Sequence, residues 1–218
     1  MKVRFLAAFA LLSLAAAPLS LFAQKAEISP YAGYIWPGSF GEGIGNFRGN
    51  QLLGVRGGYY VTSGFEIGGN YSWNNHFQPT NSNPGATVAR ELGFPQGSVR
   101  GNIWEAEFSY NFGRRQMLGH AVKPYVVGGA GGLTTSIKNA DTFALNVRPS
   151  SLFFANDVLN SGDTFFTFSY GGGLKAMRLW GPMGFFGDFR GRTLPNFFGN
   201  SNTWPELSAG LNFSWGEK

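Results

Sequence analysis

TWPELSAGLNFSWGEK, residues 203–218, decides the fold. From Pro205 onward, Pro205, Leu207, Ala209, Leu211, Phe213 and Trp215 fall on one face of a strand. Glu206, Ser208, Gly210, Asn212 and Ser214 fall on the other. This is period-2 alternation of apolar against polar or small residues along a whole strand. It suits a sheet with one greasy side and one wet side. A tilted strand of about 10 residues is also long enough to cross a bilayer.

The N-terminus reads Met1-Lys2-Val3-Arg4, then an apolar run from Phe5 to Ala17, then PLSLFAQ. A basic start, a short apolar stretch and the small residue Ala23 predict a secretory signal peptide over residues 1–23, cut after Ala23. The run is shorter than the roughly 20 residues that a helical span needs. Removing it takes away Lys2 and Arg4 and no acid, so the formal charge falls from +5 by two, to +3. With no Lys/Arg-rich run and an exported chain, nucleic acid is excluded as a partner. The chain has 0 cysteines, which removes disulfides, zinc–thiolate sites and cysteine nucleophiles. Aromatic residues are 17% and charged residues 13%, the latter about half the globular norm of roughly 25%. After the leader no apolar run is long enough for a membrane helix. A chain greasy overall but never continuously so is what an alternating barrel wall requires.

Seven further strands precede the opening stretch, at about 26–36, 51–62, 65–73, 102–112, 122–135, 164–177 and 183–192. The third sets Phe65, Ile67, Gly69, Tyr71 and Trp73 against Glu66, Gly68, Asn70 and Ser72. The fourth sets Trp104, Ala106, Phe108, Tyr110 and Phe112 against Ile103, Glu105, Glu107, Ser109 and Asn111. The sixth and seventh repeat the pattern, with Lys175, Asp188, Arg190 and Arg192 on the wet faces. The fifth (VKPYVVGGAGGLTT) is too glycine-rich for its faces to be assigned. Connections alternate strictly: long at 37–50, 74–101, 136–163 and 193–202, shorter at 63–64, 113–121 and 178–182. Long loops at one end and short turns at the other are the pattern of an outer-membrane barrel with both termini in the periplasm. Closure leaves no free edge, so every backbone donor and acceptor is paired inside the hydrocarbon. The reading is therefore all-β: an eight-stranded antiparallel up-and-down transmembrane β-barrel over residues 24–218. Trp36, Trp73, Trp104, Trp180, Trp204 and Trp215 near strand ends are expected in the interfacial girdles.

The chain resembles the eight-stranded outer-membrane β-barrels of the OmpA/OmpX type, in the outer membrane protein beta-barrel domain group. The likeness is carried by Ser29-Pro30-Tyr31-Ala32-Gly33-Tyr34, by the segment from Lys123 to Gly131 (KPYVVGGAG), by Tyr170-Gly171-Gly172-Gly173-Leu174-Lys175 and by Glu206-Leu207-Ser208-Ala209-Gly210-Leu211. It covers essentially the whole mature chain. The resemblance implies insertion into outer-membrane lipid by the assembly machinery, which reads the C-terminal strand. Such barrels usually end on an aromatic residue, whereas here Trp215 is followed by Gly216-Glu217-Lys218.

The inward faces carry Arg56, Glu66, Glu105, Glu107, Lys175, Asp188, Arg190, Arg192 and Glu206. An eight-stranded lumen is about filled by its side chains, and a lone buried charge costs several kcal/mol, so these residues are expected to pair across it. The expected pairs join Glu105 and Glu107 to Arg190 and Arg192, with Glu206 close to the seventh strand. Other chemistry has little to stand on. Glu105 and Glu107, at i and i+2, could serve as a general acid/base pair, but inside a filled lumen they have no substrate access. His76, in an outer loop, and His120, in a turn, lack a Gly-x-Ser-x-Gly or comparable nucleophile context. The run Gly128-Gly129-Ala130-Gly131-Gly132 is followed by no helix and cradles no phosphate. Clustered histidines for a metal are absent, and no cofactor is expected. A soluble lipocalin-like barrel would turn its apolar faces inward, yet here the charged faces carry fewer residues than the apolar ones.

The functional expectation is an integral outer-membrane protein with a structural or surface-interaction role, its lumen filled by a charged network, and not an enzyme. The alternative is a small porin or gated channel; a lipid-modifying enzyme has the least support. Partners are expected through the loops 37–50, 74–101, 136–163 and 193–202.

Overall fold

The computed structural model describes residues 26–37, 47–74, 77, 98–113, 115–117, 120–138, 151–154, 157–197 and 199–216. Among the described residues eleven strands occur in chain order: β1 (Ala26–Ile35), β2 (Asn50–Tyr60), β3 (Phe65–Asn74), β4 (Ser98–Asn111), β5 (Arg115–Met117), β6 (His120–Lys138), β7 (Ser151–Phe154), β8 (Asp157–Asn160), β9 (Thr164–Trp180), β10 (Met183–Phe197) and β11 (Asn200–Trp215). Eight of them, β1, β2, β3, β4, β6, β9, β10 and β11, form the wall, each antiparallel to its neighbours. The opening stretch closes it: β11 pairs with β1 from Ala26↔Trp215 to Ile35↔Glu206. β5 continues β4 past a short break and pairs with the start of β6, while β7 and β8 make a separate hairpin. The predicted leader, residues 1–23, lies outside the described residues.

Burial is inverted relative to a soluble barrel. Along β11, Glu206, Ser208, Asn212 and Ser214 are buried while Leu207 and Trp215 are exposed. On β3, Glu66, Asn70, Ser72 and Asn74 are buried, and Ile67, Tyr71 and Trp73 face out. The first strand and the glycine-rich fifth, whose faces the sequence left unassigned, follow the same rule. β1 turns Glu27, Ser29 and Tyr31 inward and Ile28 and Tyr34 outward; β6 turns Lys123, Tyr125 and Val127 inward and Val126 outward. A continuous apolar exterior of this extent has no place on a soluble monomer and is satisfied by hydrocarbon.

The shorter turns are built locally. Between β2 and β3, Thr62 Oγ1 accepts from the Phe65 amide at 3.0 Å and Val61 donates to the Phe65 carbonyl at 2.9 Å. Between β9 and β10 the chain reverses at Gly181, whose φ of 62° is a left-handed conformation that favours glycine.

The fourth expected long loop, 193–202, is corrected. β10 runs on to Phe197 and β11 begins at Asn200, with pairs Thr193↔Thr203 and Leu194↔Asn202, so the reversal is a tight tip carrying Gly199 at φ 76°. The sequence offered Thr, Asn, Pro and Gly there and read as loop, but Pro195 is tolerated beside the register shift between Leu194 and Phe197. Outside the outer girdle the outward residues of these long strands turn polar (Arg100, Ser136, Thr164, Asn196, Ser201, Thr203), marking the change from lipid to water.

On this reading Ala209 lies midway along the lipid face of β11, between Thr203 and Trp215. Arginine there is expected to cost about 2–4 kcal/mol of stability, and Thr203→Arg about 0–1 kcal/mol. Equilibrium urea unfolding in lipid vesicles measures both. Equal costs would mean that the band is not lipid-facing.

Candidate functional site: a filled lumen

The inward side chains form three charged groups stacked along the barrel axis. Nearest the short turns, Lys175 Nζ sits 3.0 Å from Glu27 Oε1 and 2.8 Å from Glu66 Oε2. Tyr60 and Ser29 hydroxyls donate to Glu27 at 2.9 Å each, and Ser109 donates to Glu66 at 3.0 Å. The Lys175 ammonium also lies 5.6 Å from the Tyr60 ring centre and 5.1 Å from that of Tyr125, within cation–π range. Lys123 is its cross-strand neighbour on β6.

In the middle, Arg56 reaches Glu107 Oε2 through Nε and Asp188 Oδ2 through Nη1, both at 3.1 Å. Arg190 pairs with the other oxygen of Glu107 and, at 2.9 Å, with Asp188 Oδ2. Tyr125 donates to Asp188 Oδ2 at 2.8 Å, and Ser208 donates to its second oxygen. The Arg56 guanidinium also lies 5.3 and 4.9 Å from the ring centres of Tyr31 and Phe186, which meet edge-on. Further out, Arg192 pairs with Glu105 and, at 2.8 Å, with Glu206 Oε2. Thr167 and Ser169 complete the shell of Glu105 at 3.2 and 3.0 Å.

Glycines supply the room for these long side chains. Gly171 and Gly173 of β9 stand opposite Arg190 and Asp188 of β10. A methyl at Gly171 would lie 2.8 Å from Arg190 Cα, and one at Gly173 would lie 2.6 Å from Asp188 Cβ. Between the first two charged groups a cavity of about 10 Å³, lined by Arg56, Glu66, Glu107, Ser109, Tyr125 and Lys175 among others, has room for about one water. A wider cleft of about 460 Å³, lined by Thr62, Ser63, Asn111 and Lys123 among others, lies at the short-turn end.

All nine charged residues expected in the lumen are buried there, and the structure brings Glu107 to Arg190, Glu105 to Arg192 and Glu206 to Arg192. Sequence reasoning missed Glu27, whose parity with Ser29 and Tyr31 placed it inward, and Lys123, hidden in the glycine-rich strand. It also missed an apolar group at the long-loop end. There Ile35, Leu52, Ile103, Leu133, Leu194, Phe197 and Trp204 converge with Val99, Phe47 and Phe77. Trp204 is therefore a correction: it is 2% exposed, inside the barrel, and not in a girdle. Because β11 starts at Asn200, Trp204 shares the inward parity of Glu206 and stands opposite Arg192. The other five tryptophans face out, Trp36, Trp73 and Trp104 toward the long-loop end and Trp180 and Trp215 toward the short turns.

Glu105 and Glu107 are each held by an arginine, and His76 lies outside the described residues. No group of three His, Cys, Asp or Glu side chains suited to a metal occurs among the described residues.

With this geometry in hand, the family is plain. The outer membrane protein beta-barrel domain family matches residues 6–214, and the chain belongs to it. It is an outer-membrane β-barrel protein. Among solved structures it is similar to Neisserial surface protein A, at 13% identity over 88% of this chain and 96% of that one, with a TM-score of 0.53. The N-terminal barrel of Pseudomonas aeruginosa OprF is 15% identical over 87% and 98%, with a TM-score of 0.45. OprG of the same organism is 11% identical over 89% and 97%, with a TM-score of 0.47. No curated protein matches the chain.

Removing one member of the network leaves its partners charged, buried and unpaired, at a cost of about 3–5 kcal/mol. Lys175→Met is expected to lose that much, because Glu27 and Glu66 share this ammonium. The triple replacement Lys175→Met, Glu27→Gln, Glu66→Gln should recover most of it. Vesicle unfolding of the two variants decides, and equal losses would mean that packing, not charge, sets the cost.

Proposed function

We propose that this protein is exported by the leader at residues 1–23 and serves as a sealed outer-membrane scaffold that displays its outer loops to a partner. The observation that carries this reading is the middle of the lumen, where Arg56, Glu107, Asp188 and Arg190 interlock around shared oxygens. Such a layer leaves no water-filled path through the charged groups. A conducting pore needs that path, whereas a scaffold needs only a rigid wall. The connections 37–50, 74–101 and 136–163, much of which lies outside the described residues, join wall strands whose ends reach into them, and the last contains the β7–β8 hairpin. They are the surface offered to a partner. The fourth loop is withdrawn from that set, since 193–202 is mostly strand. Assembly of the barrel through β11 and its immersion in outer-membrane lipid complete the set of partners.

The test is single-channel recording of refolded residues 24–218 in a planar bilayer, on protein whose unboiled gel mobility shows the compact form. Folded barrels are expected to be silent. Reproducible conductance steps, altered by replacing Arg190 or Glu105, would replace the scaffold reading with a gated channel.

A further inference from the structure

From the packing at the long-loop end, we infer that the lumen is closed by two barriers in series, of opposite chemistry. This rests on the sealed-lumen reading above. The first barrier is the ion-paired middle. The second is the apolar group, which fills the outer mouth from the wall and from the loops together. Ile35, Leu52, Ile103, Leu133, Leu194 and Trp204 come from six different strands. Phe47 precedes β2, and Phe77 lies in the β3–β4 connection, where it pairs with Val99 by backbone bonds of 2.8 and 3.0 Å. Phe77 stacks edge-on against Trp204 at 5.6 Å, and Phe197 does so at 5.7 Å. Both loop phenylalanines are buried.

The two barriers meet at Trp204. Its β10 partner in register is Arg192, and Glu206, two residues along on the same face, holds that arginine. The indole thus stands between the outermost ion pair and the outer mouth. Ions are stopped twice, once by fixed opposite charges and once by a mostly apolar layer, in which Asn74 and Asn202, the register neighbours of Leu52 and Leu194, are too few to replace an ion's hydration. Loosening the charged layer alone leaves the stopper, and trimming the stopper alone leaves the charges.

The experiment uses refolded residues 24–218 carrying Glu107→Ala with Arg190→Ala, which removes one cation and one anion together. A second variant carries Phe77→Ala with Trp204→Ala, and a third carries all four changes. Each is first checked by its heat-modifiable gel mobility. Both pair variants are expected to stay silent in planar bilayers, and the fourfold variant to show conductance steps. Conduction by the Glu107/Arg190 variant alone would overturn the outer barrier, and conduction by the Phe77/Trp204 variant alone would overturn the inner one. A folded but silent fourfold variant would overturn both assignments. Conduction by the unaltered chain would instead defeat the scaffold reading, so the two failures are distinguishable.

Discussion

Eight strands enclose a lumen that side chains about fill, so whatever charge the sheet turns inward must be met by another side chain. That constraint organises the molecule. It forces carboxylates of β1, β3, β4, β10 and β11 to share the cations of β2, β9 and β10, and several oxygens serve two donors at once. It also dictates where the wall must be thin. Glycines stand at inward positions of β9 because arginine and aspartate stand opposite them on β10. Bulk on one strand is balanced by its absence on the next.

The lumen is graded along its length. The ammonium of Lys175 and two carboxylates occupy the short-turn end, interlocked guanidiniums the middle, and aromatic and aliphatic side chains the outer mouth. Toward the long-loop end β10 and β11 exchange inward charges for Leu194 and Trp204, while their outer faces change from apolar to polar. β11 does both within a few residues: Glu206 is followed outward by Trp204 on the inner face, and Leu207 by Thr203 on the outer. The apolar side chains at the outer mouth gain by packing against one another.

Most of the wall was legible because period-2 alternation is a local signal. The faces of β3, β9, β10 and β11 could be read residue by residue, and with them the inward charges. What escaped was non-local or lay at strand ends. β6 carries Gly128, Gly129, Gly131 and Gly132, which erase the contrast between faces, so Lys123 and Tyr125 went unassigned. Glu27 sat in a strand whose first residues alternate weakly. Trp204 was misplaced because an aromatic at a strand end suggests an interface, while the strand actually continues four residues beyond it to Asn200. The outer apolar group could not be read at all. Its members are spread from Ile35 to Trp204 and include two loop residues, and only closure brings them together.

The network specifies structure more than it stabilises it. Buried ion pairs offset their own desolvation and add little net stability. A strand can slip against its neighbour, however, and a slip of one residue exchanges the two faces completely. For β10 that slip would send Asp188, Arg190 and Arg192 into lipid and bring Phe185, Phe189 and two glycines into the lumen. Each arginine near the bilayer midplane would then cost about 2–4 kcal/mol, and Glu107, Glu105 and Glu206 would lose their counter-charges inside. The same arithmetic applies to β9 through Lys175 and to β2 through Arg56. Closure between β1 and β11 fixes the remaining freedom, because a sheet joined to itself cannot slip at one seam without shifting every other. The charges that pair across the middle of the lumen are therefore the same ones that hold the strands in register.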